Sequence, residues 1–252
     1  REHKLLEGLR VKKQSIWLVG IGVVGLLALF ALYTLQSRPN IVKIGAVVPL
    51  TGAGEPYGTS LRRGIDLAIS GYNSSRKFGQ PEIAVIYEDS KGEPKIASNA
   101  FFKLKSIDAV PAIFTSVSGV VLSLSPLAER ERMVLINLSA TSPKICEADN
   151  RYVFSMIPDG GKESSYLARR VAEMGSAKKV GVLYVNNAAG IDLMTRFAKE
   201  LEYAENKVVA AESYDVGSLD YRVQLTKFKS TGVEIGYLVM FGNREVVAAL
   251  TQ

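Results

Sequence analysis

The sequence predicts an α/β protein built as two lobes with parallel sheets, preceded by one transmembrane helix. Three observations predict it. Short β-branched runs alternate with amphipathic stretches from Ile41 onward, and helices that join successive strands leave those strands parallel, with helices on both faces of the sheet. The runs are apolar at consecutive positions, as in VGVLYV at 180–185, which suits strands buried on both faces. Ahead of them the chain reads IWLVGIGVVGLLALFALYTL from Ile16 to Leu35, twenty residues without a charge. At about 1.5 Å per residue that run crosses a hydrocarbon core of about 30 Å.

Residues 1–15 carry Arg1, Lys4, Arg10, Lys12 and Lys13 against Glu2 and Glu7, five minus two, so half of the net charge of +6 lies there. The other half is spread too thinly to form the basic stripe that displaces counterions from phosphates, which excludes nucleic acid as a partner. Lys12 and Lys13 flank the apolar run, and Trp17 and Tyr33 sit near its ends. The positive-inside rule then places residues 1–15 in the cytoplasm and the chain after Arg38 outside. The run is longer than the core of a signal peptide, about 7 to 15 residues, and Tyr33-Thr-Leu-Gln-Ser-Arg38 is a poor small-x-small cleavage site. Residues 16–36 are therefore expected to be an uncleaved anchor in the inner membrane. Gly20, Gly22, Gly25, Ala28 and Ala31 give it small residues against which another membrane helix can approach.

In the exported part, strands are expected at 41–48, 83–88, 110–114, 133–138, 179–185, 207–211 and 235–241. Helices are expected at 58–73, 94–106, 118–130, 162–174, 191–204 and 220–230. Residues 139–161 interrupt the alternation with Pro143, Pro158 and the pair Gly160-Gly161. Lobe one is placed at 41–138, a crossing at 139–153 and lobe two at 154–252. The chain starts at Arg1 rather than Met and stops at Gln252 within a helical pattern, so a fragment with an incomplete second lobe is expected.

Residue types exclude most catalytic chemistry. One cysteine, Cys146, cannot close an intrachain disulfide, and one histidine, His3, leaves no zinc or haem cluster. Gly52-Ala-Gly54-Glu-Pro-Tyr-Gly58 has the wrong spacing for a dinucleotide fingerprint and holds Pro56. There is no phosphate loop, no nucleophile elbow and no paired carboxylate. The sequence predicts a binding protein, not an enzyme, with no cofactor and no metal. Two polar turns stand out at the ends of adjacent strands, Thr115-Ser-Val-Ser118-Gly and Ser139-Ala-Thr141-Ser-Pro. Open α/β sheets place ligands at such ends, and a helix start with a free hydroxyl suits an anion. A plain N-cap serine is the alternative for Ser118, a capping carboxylate the alternative for Asp159, and an ordinary half-buried aromatic the alternative for Tyr57.

Further stretches carry a resemblance: Ile44-Gly-Ala-Val-Val-Pro-Leu-Thr-Gly52 with Tyr57-Gly58, Tyr87-Glu-Asp89-Ser with Glu93-Pro94, the two polar turns, Tyr152-Val-Phe-Ser, Pro158-Asp159 and Lys179-Val-Gly-Val-Leu-Tyr184. In this order and at these spacings the chain from Ile41 to Gln252 resembles the type I periplasmic binding proteins of the leucine/isoleucine/valine-binding family. The resemblance implies two Rossmann-like lobes closing on an amino acid or similar small zwitterion, for delivery to an ABC importer. It implies that Ser118, the backbone at Ser139 and the Thr141 hydroxyl hold the ligand carboxylate, that Tyr57 walls the pocket, and that Asp159 faces the ammonium. One departure is Ala189-Gly190, where the family has Tyr-Gly, so an aromatic contact from lobe two is absent. Asn243 and Arg244 fall where other lobe-two ligand residues occur. The departure and the anchor motivate a second reading, an accessory or scaffold subunit of a membrane complex with a degenerate cleft. A third is an extracytoplasmic sensor module.

Overall fold

The computed structural model describes residues 40–175, 178–202 and 206–252. The expected anchor, Ile16 to Leu35, lies outside the described residues. Among the described residues no helix is long and apolar enough to cross a membrane. The described residues divide into two compact units, one of residues 40–41 with 77–82 and one of the described residues within 42–76 and 83–252. Within the smaller, the Glu82 amide donates to the Asn40 carbonyl at 2.8 Å and the Gln80 amide to the Lys77 carbonyl at 3.0 Å.

The larger unit alternates strand and helix as the pattern requires: β1 (Ile41–Val48), α1 (Glu55–Ser75), β2 (Glu82–Asp89), α2 (Pro94–Ser106), β3 (Ala112–Thr115), α3 (Ser118–Glu131), β4 (Val134–Asn137), α4 (Lys144–Glu147), β5 (Val153–Ser155), α5 (Gly160–Glu173), β6 (Lys179–Val185), α6 (Ala188–Glu202), β7 (Lys207–Tyr214), α7 (Arg222–Thr231), β8 (Ile235–Val239) and α8 (Asn243–Leu250). The first sheet has the order β2-β1-β3-β4-β5 and the second β7-β6-β8. The β1/β3, β3/β4, β4/β5, β6/β7 and β6/β8 pairs are parallel.

The apolar runs bury both faces. In the first sheet Val47, Ile113 and Leu135 pack under α2 and α3 through Phe101, Leu104, Val121 and Leu124. In the second, Val180 and Val182 face α5 and α6, while Leu183 and Val185 face the opposite cluster with Tyr214, Tyr221 and Phe228. Each of these side chains that is fully buried contributes about 1.5–3 kcal/mol of transfer free energy, which is why consecutive apolar positions serve a strand covered on both sides.

One boundary differs from the sequence reading. The sequence reading divides Val153–Ser155 between the crossing at 139–153 and a second lobe opening at 154. That segment forms strand β5, paired with β4 through Leu135↔Val153, Ile136↔Phe154 and Asn137↔Ser155, and so belongs to the first sheet. The sequence shows one short apolar run here between Pro143 and Pro158, but three residues are too few to show a period, so the run does not announce a strand. The helix α4 was likewise unforeseen, and β7 runs to Tyr214 rather than to residue 211.

Candidate functional site

The order β2-β1-β3 reverses direction between β1 and β3, because the chain leaves β1 to one side and returns to build β3 on the other. The loops after those strands diverge and leave a crevice at the carboxyl ends, where open parallel sheets bind ligands. Three turns meet the crevice, after β1, β3 and β4.

The first turn is shaped by Asp89 at the end of β2. Its Oδ1 accepts from the amides of Leu50 at 2.8 Å, Thr51 at 3.3 Å and Lys91 at 2.8 Å, and its Oδ2 from the Thr51 hydroxyl at 2.5 Å. Burial acts to raise the Asp89 pKa, and the hydrogen bonds from the Thr51 hydroxyl and the three amides outweigh it, leaving the carboxyl below its ordinary range. Helix α1 then starts so close to the strand end that a Cβ on Gly58 would lie 1.7 Å from the Pro49 carbonyl oxygen. Only glycine permits that approach, and it sets Tyr57 at the crevice. The Tyr57 hydroxyl donates to the Ser139 Oγ and, at 3.4 Å, to the Ser139 carbonyl. Burial pushes the Tyr57 pKa up, with the Ser139 bond acting the other way, so the phenol is a neutral donor.

The second turn is strained. Val117 sits at φ +66°, a costly conformation for a β-branched residue. Thr115 and Ser116 before it are fully buried, and their hydroxyls have no hydrogen-bond partner among the described residues. Ser118 is not the N-cap, which is Val117. It opens α3 as a buried residue whose Oγ accepts from the Ser142 amide at 3.1 Å.

In the third turn Asn137 Oδ1 accepts from the amides of Ser139 at 3.1 Å and Ala140 at 2.7 Å, and its Nδ2 donates to the Ala140 carbonyl at 2.8 Å. The Ser139 amide, expected to face a carboxylate, is thus already engaged. Thr141 is half-buried, and its carbonyl accepts from the Gly160 amide at 3.1 Å. That bond seats Asp159 beside the same turn, where it caps α5 by accepting from the Gly161 amide at 2.7 Å. Of the five residues singled out from sequence, Tyr57 is linked to Ser139 and Thr141 to the start of α5 at Asp159, while Ser118 is bonded to Ser142, which was not among them. Of the five, Tyr57 alone lines the cavity described next.

That cavity, of about 470 Å³, lies between the start of α1 and the end of β8, lined by Tyr57, Ser60, Leu219, Phe241, Arg244 and Glu245 among others. The Tyr57 and Phe241 rings meet across it with centroids 5.5 Å apart at 49°. Phe241 is held by its amide, which donates to the Tyr214 hydroxyl at 2.8 Å. Sequence reasoning named Asn243 and Arg244 here and missed Glu245. Glu245 is only 5% exposed. Its Oε1 accepts from the Gly217 amide at 2.7 Å, while its Oε2 is buried with no partner among the described residues. The only signal was an acid in a first helical turn, which ordinarily reads as a response to the helix dipole.

The second lobe repeats the construction of the first. A Cβ on Gly190 would lie 1.9 Å from the Val185 carbonyl oxygen, as Gly58 does against Pro49, so Ala189 holds the place that Tyr57 holds in lobe one. Among the described residues no group of His, Cys, Asp and Glu could hold a metal ion, and Cys146 is exposed as a free thiol. The arrangement enclosing the cavity offers hydrogen bonds, an aromatic wall and a buried acid, which is chemistry for binding.

The model of the family described as periplasmic binding protein matches residues 41–252. A Leu/Ile/Val-binding protein homolog 3 of Brucella melitensis is 24% identical over 196 residues, 78% of this chain and 53% of its own length. A leucine-, isoleucine-, valine-, threonine-, and alanine-binding protein of Pseudomonas aeruginosa is 26% identical over 209 residues, 82% and 55% respectively. The chain thus spans about half the length of these curated relatives. Among solved structures, a branched chain amino acid ABC transporter protein of Thermus thermophilus with bound valine superposes with a TM-score of 0.78 at 16% identity, covering 84% of this chain and 55% of that one. A solute binding protein of Rhodopseudomonas palustris in complex with 3,4-dihydroxy benzoic acid gives 0.73 at 20% identity, covering 84% and 58%. Members of this family are solute-binding proteins rather than enzymes. From Ile41 to Gln252 the chain belongs to the periplasmic binding protein family.

Proposed function

We propose that this chain is the extracytoplasmic receptor of an ABC importer for an amino acid or a related small carboxylate, tethered to the inner membrane by residues 16–36 with residues 1–15 in the cytoplasm. The observation that carries the reading is the Glu245 Oε2, buried with no partner among the described residues at a cavity that Tyr57 closes from the other lobe. An unpaired buried acceptor costs about 1–3 kcal/mol, more when charged, and a ligand ammonium relieves that cost. In this reading Ser118 and the Thr141 hydroxyl take the ligand carboxylate, assisted by the buried hydroxyls of Thr115 and Ser116, and the Ser139 carbonyl and hydroxyl complete the wall with Tyr57. Two acids are offered to the ammonium. Asp159 has one oxygen committed to its helix cap, whereas Glu245 lines the cavity with one oxygen unpartnered among the described residues. The relatives named for branched-chain amino acids and the neighbours bound to valine or to a benzoic acid share a carboxylate as the common chemistry, in support of this ligand class.

The test is a thermal-shift screen of the full chain in mild detergent against the common amino acids and short carboxylates. A ligand at a hundredfold excess over Kd stabilises the folded state by about 2.7 kcal/mol. A selective shift that Glu245→Gln and Thr141→Ala each abolish supports the reading. A second reading, an accessory subunit with a weakened cleft, is favoured by Ala189 at the position matching Tyr57. No shift from any compound, together with co-purification of a membrane complex, would replace the first reading with the second.

A further inference from the structure

The cavity holds a cation, Arg244, that nothing among the described residues answers. Arg244 lines it as the second residue of α8, and its guanidinium takes part in no hydrogen bond or ion pair among the described residues. Its position is electrostatically unfavourable as it stands, because the amino end of a helix carries partial positive charge and repels a cation. Gly242 is the N-cap and has no side chain to offer, so no capping bond quenches the first-turn amides of α8. Guanidinium and uncapped amides together form an anion-binding corner. Beside it stands the unpartnered, nine-tenths buried Glu245 oxygen, which repels an anion that arrives without a compensating cation.

We infer that Arg244 is the specificity-determining residue of the cleft and that it selects an amino acid with an acidic side chain. The inference rests on the receptor reading above and narrows its ligand. Arg244 pairs with the side-chain carboxylate, Glu245 with the ammonium, and the lobe-one turns with the α-carboxylate. A simple aromatic acid answers Arg244 and leaves Glu245 unpaired. A branched-chain amino acid answers Glu245 and leaves Arg244 unpaired. An acidic amino acid alone among the three satisfies both charged residues of the cavity lining.

Calorimetry on the full chain in mild detergent tests this with aspartate, glutamate, asparagine, glutamine, leucine and benzoate as probes. Each acid should bind about tenfold or more tightly than its own amide, the difference expected for one charge-assisted hydrogen bond. Arg244→Gln should collapse that acid-to-amide ratio. Arg244 is exposed, so the variant should keep the wild-type circular dichroism spectrum, and a loss of ratio cannot then be assigned to unfolding. Leucine or an amide binding as tightly as the acids, or a ratio unchanged in Arg244→Gln, overturns the assignment of Arg244 while the receptor reading stands. Benzoate binding without any amino acid overturns the ligand class. No binding by any probe overturns the receptor reading itself, and this inference with it.

Discussion

Ser142 Oγ donates to the Asp192 Oδ2 at 2.5 Å, joining the turn after β4 to helix α6 of the second lobe. The other Asp192 oxygen lies 2.5 Å from Lys144 Nζ, and Arg196 reaches Glu147 at 2.6 Å nearby. Because the Ser142 amide also donates to Ser118 Oγ, one residue connects a candidate ligand turn to the facing lobe. Any motion that parts the lobes at this point must break the Asp192 contacts.

Asp192 is 7% exposed, so Asp192→Ala removes a buried acceptor and should cost about 1–3 kcal/mol of stability. Asp192→Asn keeps an oxygen for the Ser142 hydroxyl and loses the pairing with Lys144. The Lys144 side chain is 64% exposed, and an ion pair with so wet a partner adds little, about 0–1 kcal/mol. Urea unfolding of the two variants should therefore give a large shift for alanine and a small one for asparagine. Equal midpoints for Asp192→Ala and wild type would show that this contact carries no stability.

The pair Gly58 and Gly190 makes a second prediction. A Cβ at either site would sit within 2 Å of a strand-end carbonyl oxygen, a backbone atom that cannot swing away. Gly190→Ala should destabilise by about 1–3 kcal/mol or more, because helix α6 must lift off β6. Ala189→Tyr, one residue earlier, should leave the fold intact, since the matching position in lobe one already carries Tyr57. A calorimetric scan in which Ala189→Tyr melts lower than Gly190→Ala would break the equivalence of the two turns.

How far the sequence could be read differs by residue. VGVLYV announces β6 because burial on both faces leaves no polar position, and Pro94 marks the start of α2 because its missing N–H is unneeded there. The residues of the polar turns were legible as types, but their partners were not. Ser139 presents its amide to Asn137, two positions earlier, in a side-chain turn that competes with any ligand for the same donor. Ser118 reads as a cap, but the actual cap is the strained Val117, and a positive φ on valine contradicts local preference. Glu245 was invisible because its meaning depends on Gly217, 28 residues away, taking one oxygen and leaving the other bare.

Tyr57→Phe keeps the ring against Phe241 and removes the hydroxyl from Ser139. The loss should be about 1 kcal/mol in urea unfolding, the net worth of one hydrogen bond. Tyr57→Ala also removes the ring and should cost more, by about 0.5–1.5 kcal/mol for the aromatic contact beyond the area it buries. Indistinguishable stabilities for the two variants would mean that the Phe241 contact contributes nothing.

Asp89 gives the molecule an acid-sensitive joint. Its carboxyl titrates below the ordinary aspartate range in the folded protein, because burial, which would raise it, is outweighed by the Thr51 hydroxyl and the amides of Lys91, Leu50 and Thr51. A group with a depressed folded pKa adds stability above its unfolded pKa and loses it as the pH falls through the folded one. Asp89→Asn retains an oxygen for the amides but turns an N–H₂ toward Thr51, so near neutrality it should be less stable than wild type by about 1 kcal/mol. As the pH falls from about 7 through the ordinary aspartate value of about 3.9 and on toward the lower folded one, the wild-type carboxyl progressively loses its advantage. The two urea midpoints should therefore converge in acid, and a gap that stays constant over that range would place the worth of Asp89 in its shape rather than its charge.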